Sequence, residues 1–535
     1  MEGLKMSTVF SREMNLLRRA AIGDIPKRTA AKYPDRTAII FQGKRISFRE
    51  LNQNCCRFAH AFEELGAKKG DRIAFLSHNC LQYIYAWLGM AKIGCAIVPL
   101  NFMLKSFEIE FIINHAEPRF FFVEDALTPQ VLEVAGKLKS VEKFGVIPLT
   151  GGKKPEGWLN IDDFLTPSRS TEEPQGEIDG EEMTTLLYTS GTEALPKGVM
   201  TTHQNYYAAM MSGAVDLNVS KDDITLLTIP LYHVAGKYLL LESINIGAAV
   251  VLQYAPNPTE ILQLTQNEKA TYWVYPPTLY QILPVMPNFK EFSLSSLRKC
   301  ISFGALMPVA LLQQWKQIVP QAEWRNYYGQ TESSPLGSTL QPEDFERKIS
   351  SIGTPHTGIE MKIFDENDHE VPVGQVGEIV LRGPCVMKGY YKNEQKTAET
   401  LRNGWLHTGD LGRFDDEGFL YFIDRKKDMI KTGGENVSSQ EVEGLLFKQG
   451  KIMQAAVIGM PDKIWGEAVT AVVVPFPGVT LTEEDIIAHC KASMAGYKVP
   501  KKVIFVPSMP TTPSGKVLKR LLKEQIMKQT SRAAD

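Results

Sequence analysis

The sequence predicts an α/β protein: a large N-terminal domain of layered, parallel-type sheets with helices, a small β-unit near its end, and a small α+β C-terminal domain. Three observations predict it. Strand and helix patterns alternate between Thr37 and Val123. Glycines crowd among short β-rich pieces between Val371 and Tyr421. Beyond the polar knot Asp424-Arg-Lys-Lys-Asp428 a second compact run of elements begins, and 535 residues exceed what one hydrophobic core usually holds. The predicted divisions are 1–424, with a β-rich subdomain at 370–421, a hinge at 425–428, and 429–535.

Taken in order, Thr37–Phe41 and Lys44–Ser47 read as strands. Ser47-Phe-Arg-Glu50 is a capping box, and the helix it opens places Leu51, Phe58, Phe62 and Leu65 on one face. Strand Arg72–Leu76, helix Leu81–Ile93, strand Cys95–Val98, a helix near Ser106–His115 and strand Arg119–Val123 follow. Strands separated by single helices pair in parallel, with both faces of the sheet covered. Thr150–Met183, rich in Gly, Pro, Glu, Asp and Ser, reads as a long surface connection. Strand patterns resume at Ile224–Ile229, Ala248–Gln253, Thr271–Tyr275 and Lys299–Phe303. Three of these end at Pro230, Pro276 and the Phe303-Gly304 break, and ligand loops of open α/β sheets gather at such carboxyl ends. The C-terminal unit reads as helix Ser439–Lys448, strands Gln454–Gly459 and Ala468–Val474, helix Glu483–Ala492 and strand Val503–Phe505.

Composition narrows the function classes. Hydrophobic residues make up 44% and charged residues 22%, an ordinary soluble balance. A net charge of −2 offers no global attraction for nucleic acid or an anionic membrane surface. The most apolar stretch, Ala86–Leu100, is broken by Lys92 and falls short of the roughly 20 residues a membrane span needs. Met1–Ala21 mixes acids and bases without the apolar segment of a secretory leader. Seven cysteines without a C-x-x-C read as buried, reduced thiols, which predicts a cytoplasmic protein. A homodimer is the default assembly.

Four segments carry chemistry. Tyr188-Thr-Ser-Gly-Thr-Glu-Ala-Leu-Pro-Lys-Gly-Val199 ends an apolar run in small hydroxyls, glycine and a lysine, groups that can cradle a polyphosphate. It is not a Walker loop, because Lys197 precedes Gly198. Asn326-Tyr-Tyr-Gly-Gln-Thr-Glu332 joins rings for a base, a hydroxyl for a phosphate and a carboxylate for Mg²⁺. Gly404-Trp-Leu-His-Thr-Gly-Asp410 offers, with Arg425, a carboxylate and a guanidinium for ribose hydroxyls. Thr511-Thr-Pro-Ser-Gly-Lys516 presents one lysine just ahead of a helix pattern. Each segment alone could be an ordinary turn.

In this order and spacing the four segments resemble the adenylate-forming superfamily of acyl-CoA synthetases, luciferases and peptide-synthetase adenylation domains, from about Tyr33 to Leu522. The resemblance implies a C-terminal domain that is mobile about Lys427. It implies that Thr189, Ser190, Gly191, Thr192 and Lys197 surround the β- and γ-phosphates of ATP. Gly304, Ala305, Asn326 and Tyr328 would enclose adenine, and Gly329, Gln330 and Thr331 would lie along AMP. Glu332, with Thr192, would hold Mg²⁺, while Asp410 and Arg425 would hold the ribose. Lys516 would reach the α-phosphate and the acyl oxygen. Lys431, Gly433, Gly434 and Glu435 would line the path of the coenzyme A thiol. Two departures stand out: Glu193-Ala194 where the family loop has Thr-Gly, and Phe303 where it has a small residue. Phe303 either narrows the acyl pocket or points into the core.

The implied reaction joins a carboxylic acid to ATP as acyl-AMP and then passes the acyl group to coenzyme A. Tyr232, His233, Val234, Lys237, Tyr238, Phe303, Gly329 and Ser333–Leu336 are the expected acyl-pocket residues, with His233 as gate or floor. No aspartate–lysine pair for an α-amino acid is evident, so a plain acid is expected, a medium- to long-chain fatty acid ahead of an aryl or other small acid. The other readings are an adenylation enzyme that loads a separate carrier protein and a non-catalytic nucleotide sensor.

Overall fold

The computed structural model describes residues 14, 15, 17–189, 196–305, 307–511 and 517–532, with side chains to 529. Ser47 and Glu50 cap each other reciprocally, at 3.2 and 2.8 Å, and start the helix Phe48–Glu64. Its Phe58 meets Tyr85 of helix α1 (Leu81–Lys92) and its Phe62 meets Phe122, each edge-on at 5.7 Å, and with α2 (His203–Asp216) and α3 (Val234–Ile246) these helices fill the space between two large sheets. One sheet has nine strands, in the order Lys44–Ser47, Thr37–Phe41, Ala249–Leu252, Ile224–Leu227, β1 (Tyr272–Tyr275), β2 (Lys299–Phe303), β3 (Glu323–Gly329), Gly337–Leu340 and Thr354–Pro355. The other has eight and includes Arg72–Leu76, Ala96–Leu100 and Phe120–Glu124, paired in parallel as the alternating pattern predicts. Further helices cover the outer faces, over separate apolar clusters around Trp273, Trp315 and Trp324 and around Phe121 and Trp158.

The register of β1–β3 decides which side chains can meet. Ile301 pairs with Arg325 and Phe303 with Tyr327, so Tyr272, Val274, Ile301, Phe303 and Tyr327 stand on the face toward α3. Trp273, Tyr275, Cys300 and Trp324 stand on the opposite face.

Two smaller sheets complete the chain. An antiparallel sheet contains Glu360–Phe364, Gly377–Arg382, β4 (Trp405–Phe414) and β5 (Leu420–Arg425). The C-terminal sheet contains the long hairpin Ile452–Asp462 and Gly466–Pro475, with Lys502–Phe505 parallel on its edge, and carries its own core. The predicted α/β class and the division into a large and a small unit are therefore observed. All seven cysteines are buried and free. Among the described residues no helix is long and apolar enough to cross a membrane.

One expectation needs correction. Thr150–Met183 is not simply a surface connection, because Trp158, Ile161, Phe164 and Ile178 are buried. Phe164 meets Phe58 and Phe62 edge-on at 5.4 and 5.3 Å. Its polar majority hid a few apolar side chains, each stabilising by about 1.5–3 kcal/mol when fully buried.

Candidate active site

The site gathers at the carboxyl ends of β1–β3, where the parallel strands of the nine-stranded sheet open toward the small antiparallel sheet. On β3, Tyr328 donates its hydroxyl to Asp410 Oδ2 at 2.7 Å. Asp410 on β4 lies directly across from Arg425 on β5, and Arg425 Nε approaches Asp410 Oδ1 at 3.4 Å. Cross-strand pairing alone thus joins the carboxylate and the guanidinium that the sequence singled out. Loss of hydration works against the Arg425 charge, but Asp410 and then Asp428 outweigh it and keep the cation favoured. Burial, then Asp410, raises the Tyr328 phenol well above its ordinary range, so it acts as a neutral donor.

A second cluster joins the phosphate segment to the acidic one. The strands Met183–Thr189 and Lys197–Thr202 form a hairpin in which Thr189 pairs with Lys197. Ser190, Gly191 and Thr192 lie outside the described residues, as does Lys516. Lys197 Nζ sits 5.6 Å over the Tyr390 ring, and Tyr390 donates its hydroxyl to Glu332 Oε1 at 2.9 Å. Glu332 is the middle residue of the short 3₁₀ turn Thr331–Ser333, and its carbonyl accepts from the Met387 amide at 2.8 Å. Its other carboxylate oxygen makes no hydrogen bond among the described residues. One held and one open oxygen suit Mg²⁺, which takes one or two carboxylates and fills its shell with water and phosphate oxygens. Tyr390 was not singled out from sequence. The clue was its place in the Gly389-Tyr390-Tyr391 run, which pairs with the phosphate hairpin.

Other expected residues fall in several places. Gly304 and Ala305 are exposed at the end of β2, and Gln330 and Thr331 are half-buried beside Glu332. Asn326 is buried and donates to the Ser351 carbonyl at 3.3 Å. Lys427 is exposed in the turn after β5, where loss of hydration and the Arg425 charge hold its ammonium below the usual lysine range. Lys431, Gly433, Gly434 and Glu435 form the exposed end of a hairpin in the C-terminal unit. Gly433 and Gly434 have φ of 59° and 85°, so the turn needs glycine for its own backbone.

Around α3 the expected acyl residues divide. His233 caps the helix, its Nδ1 accepting from the Ala235 amide at 3.2 Å. Tyr232 is half-buried and packs edge-on to Phe102 at 5.5 Å. Phe303 is half-buried on the strand face toward α3, beside the exposed Gly329. Tyr238 also points to this face, its ring 6.2 Å from that of Tyr327. Three expectations are not met. Lys237 is fully buried against α1, where it donates to Tyr83 Oη and the Leu231 carbonyl. Successive helical residues turn by about 100°, which sends Lys237 toward α1 while Tyr238 meets the sheet. Val234 packs behind the phosphate hairpin with Leu187, Val199 and Tyr390. Ser333 is buried, its hydroxyl spent on the Gln330 and Leu336 carbonyls.

The side chains packed around Tyr238 are deeply buried. Tyr238 donates to Glu242 Oε1 at 2.5 Å and Tyr272 to Oε2 at 3.3 Å. Burial pushes the Glu242 carboxyl up to about 8. Gly213 of α2 faces this cluster, and a Cβ there would fall 1.7 Å from Tyr238 Oη. None of Glu242, Tyr272 or Gly213 carried a motif; only packing identifies them. Glu242 also has a thermodynamic signature. Below about pH 4.5 both folded and unfolded forms are protonated; from there to about 8 only the unfolded chain ionises, so stability falls as pH rises. The melting temperature of Glu242→Gln should therefore fall less between pH 5 and 8 than that of the wild type. Parallel slopes would mean that Glu242 is ionised in the fold.

Residues 26–391 match the family model described as AMP-binding enzyme, and residues 441–516 match the AMP-binding enzyme C-terminal domain. The chain belongs to the AMP-binding enzyme family. Over 506 residues it is 34% identical to the feruloyl-CoA synthase of an Amycolatopsis species, covering 94% of this chain and 98% of that protein. It is 33% identical to the long-chain-fatty-acid–CoA ligase of Bacillus subtilis, covering 93% of each. The crystal structure of an anthranilate CoA ligase with anthranoyl-AMP superposes with a TM-score of 0.88 at 27% identity, covering 94% of this chain and 97% of that one. The resemblance drawn from the four motifs is borne out. This AMP-binding enzyme is an acid–thiol ligase: ATP activates a carboxylic acid as acyl-AMP, and a coenzyme A thioester follows.

Proposed function

We propose that the acid is aromatic or otherwise small, and that its tail lies between α3 and the carboxyl ends of β1–β3. The observation that carries this reading is the closed far end of that space. Exposure falls from Gly329 and Phe303 at the top to Tyr238 and Tyr327, at 3% and 9%, and to none at Glu242 and Tyr272. A long alkyl chain would have to displace hydrogen-bonded, close-packed tyrosines, whereas a ring could rest on them. The names of the feruloyl and anthranilate relatives support the same class. A medium- to long-chain fatty acid, the expectation from general likeness, is the second reading, supported by the Bacillus subtilis relative.

Both reactants of the first step are anions, so the site must offset their repulsion. Asp410, Arg425 and Tyr328 would clasp the ribose, leaving the phosphates over Lys197. Glu332, oriented by Tyr390, would hold Mg²⁺, which when bound neutralises charge on the phosphates and the leaving pyrophosphate. The acid's carboxylate oxygen attacks the α-phosphorus and pyrophosphate leaves. Lys516 would draw the acyl oxygen and α-phosphate together. In the second step the small domain turns about Lys427 and brings the Gly433-Gly434 turn to the site. The thiol sulfur attacks the acyl carbonyl, its proton passes to solvent, and AMP departs.

A pyrophosphate-release screen over aryl acids and fatty acids of increasing chain length, with and without coenzyme A, tests the reading. The highest kcat/KM is expected for aryl acids. A kcat/KM that climbs steadily with chain length would transfer the assignment to fatty acids.

A further inference from the structure

Asp410, the carboxylate proposed for the ribose, stands on a break in its own strand pairing. Between Gly377–Arg382 and β4, Glu378 pairs with Leu411 and Val380 with His407, so Ile379 alone faces Thr408, Gly409 and Asp410. One residue opposite three makes a bulge, which bends the strand and re-aims its side chains. Gly409 has φ of 72°, a conformation that favours glycine. The Thr408 hydroxyl donates to the Ile379 carbonyl at 2.6 Å and accepts from the Asp410 amide at 3.1 Å. A bulge leaves a backbone group without its ladder partner, and such a group needs another when it is buried. Here the Gly409 amide donates to Glu378 Oε1 at 3.0 Å. The Gly409 carbonyl accepts from the Lys426 amide at 2.9 Å, beside the proposed hinge.

We infer that Glu378 is a positioning residue for ATP: by holding the Gly409 amide it fixes the bulge, and the bulge aims Asp410 at the ribose. The inference rests on the reading that Asp410 and Arg425 clasp the ribose. Glu378 is 8% exposed, and its second oxygen faces His407 Nδ1 at 3.3 Å, Lys426 Nζ at 3.8 Å and Arg402 Nη2 at 3.9 Å. Two of these cations depend little on it. Arg402 is already paired with Asp368 through bonds of 2.9 and 2.8 Å, and Lys426 is exposed, where an ion pair contributes little. The path from Glu378 to Asp410 runs through one hydrogen bond and one peptide unit. Glu378 therefore acts by placing an acceptor oxygen under Gly409, more than by its charge. A glutamine keeps an oxygen at that reach. An aspartate keeps the charge but falls a methylene short. A role of charge alone would reverse that order.

The test measures kcat/KM for pyrophosphate release with ATP and with 2′,3′-dideoxyATP, which has neither ribose hydroxyl, using the acid that the screen turns over best. A merely less stable protein lowers both values together and leaves their ratio alone. The wild type should prefer ATP by at least about a hundredfold, because a site built to bond a hydroxyl rejects the analogue that lacks it. In Glu378→Asp the preference should shrink by about tenfold or more, since misplacement by an ångström costs up to about a hundredfold. In Glu378→Gln it should stay close to the wild-type ratio. A preference that Glu378→Asp keeps, or that Glu378→Gln loses as fully as Glu378→Asp, would overturn the inference. Should Glu378→Asp fail to fold, Glu378→Met, similar in length but without an oxygen, takes its place with the same expectation. Equal kcat/KM for the two nucleotides in the wild type would instead overturn the ribose reading itself.

Discussion

Lys516→Ala is expected to lower acyl-adenylate formation by about 10²–10³-fold or more, while thioester formation from supplied acyl-AMP stays largely intact. The reason is charge. In adenylation a carboxylate approaches a polyphosphate, and the described site contributes carboxylates of its own at Glu332 and Asp410. Arg425 is occupied by Asp410, and Lys197 sits over Tyr390 beside Glu332, at the phosphate segment. A cation aimed at the acyl oxygen and α-phosphate must come from elsewhere, and Lys516 closes the segment matched by the C-terminal family model. Thiol attack on the neutral acyl carbonyl does not need it. Pyrophosphate exchange and single-turnover conversion of acyl-AMP measure the two halves separately. Adenylation at near wild-type rate would remove Lys516 from the mechanism.

Lys427→Pro is expected to do the reverse: adenylation is spared, and thioester formation falls by about 100-fold, the scale of loss when reacting groups are misplaced by an ångström. Lys426 N bonds to Gly409 O at 2.9 Å and Asp428 N to Arg425 O at 2.9 Å, whereas no backbone bond from Lys427 N is among those of the described turn. Proline therefore removes no ladder bond, but it fixes φ and restrains the residue before it. A turn about this position must also break the contacts that bridge it. Asp424 Oδ2 accepts from the Ser439 amide at 2.6 Å and hydroxyl at 2.8 Å, capping the first helix of the small domain. Within the small domain, Lys519 donates to the same Ser439 hydroxyl at 2.5 Å and stays with it through any turn. The Asp424 bonds belong to one pose, so a chain unable to pivot keeps one chemistry and loses the other. Equal losses in both half-reactions would rule out a hinge at Lys427.

Much of the site was legible before any coordinates. Asp410, Arg425, Tyr328, Glu332 and Lys197 are polar residues set in glycine- and hydroxyl-rich segments, and such segments announce themselves because a packed core has no use for them. The capping box at Ser47 and the alternation of strand and helix were legible for a similar reason: both are local patterns with a fixed period. Tyr390, Glu242 and Gly213 were not. Their meaning lies in what they touch across the fold, and nothing within a few residues of them records it. Lys237 and Tyr238 make the contrast plainly. Adjacent in sequence and both placed in the acyl pocket on paper, they part on the helix, one toward Tyr83 and the other toward Tyr327.

By itself, then, the sequence determined the chemistry of activation and the order of the domains, because backbone periodicity, capping and charged loop residues act over short stretches of chain. Only the tertiary structure carries the proposal of where the acyl space ends and what lines its floor. That depends on the register of β2 against β3 and the rotation of α3 above them, and close packing of distant residues sets both.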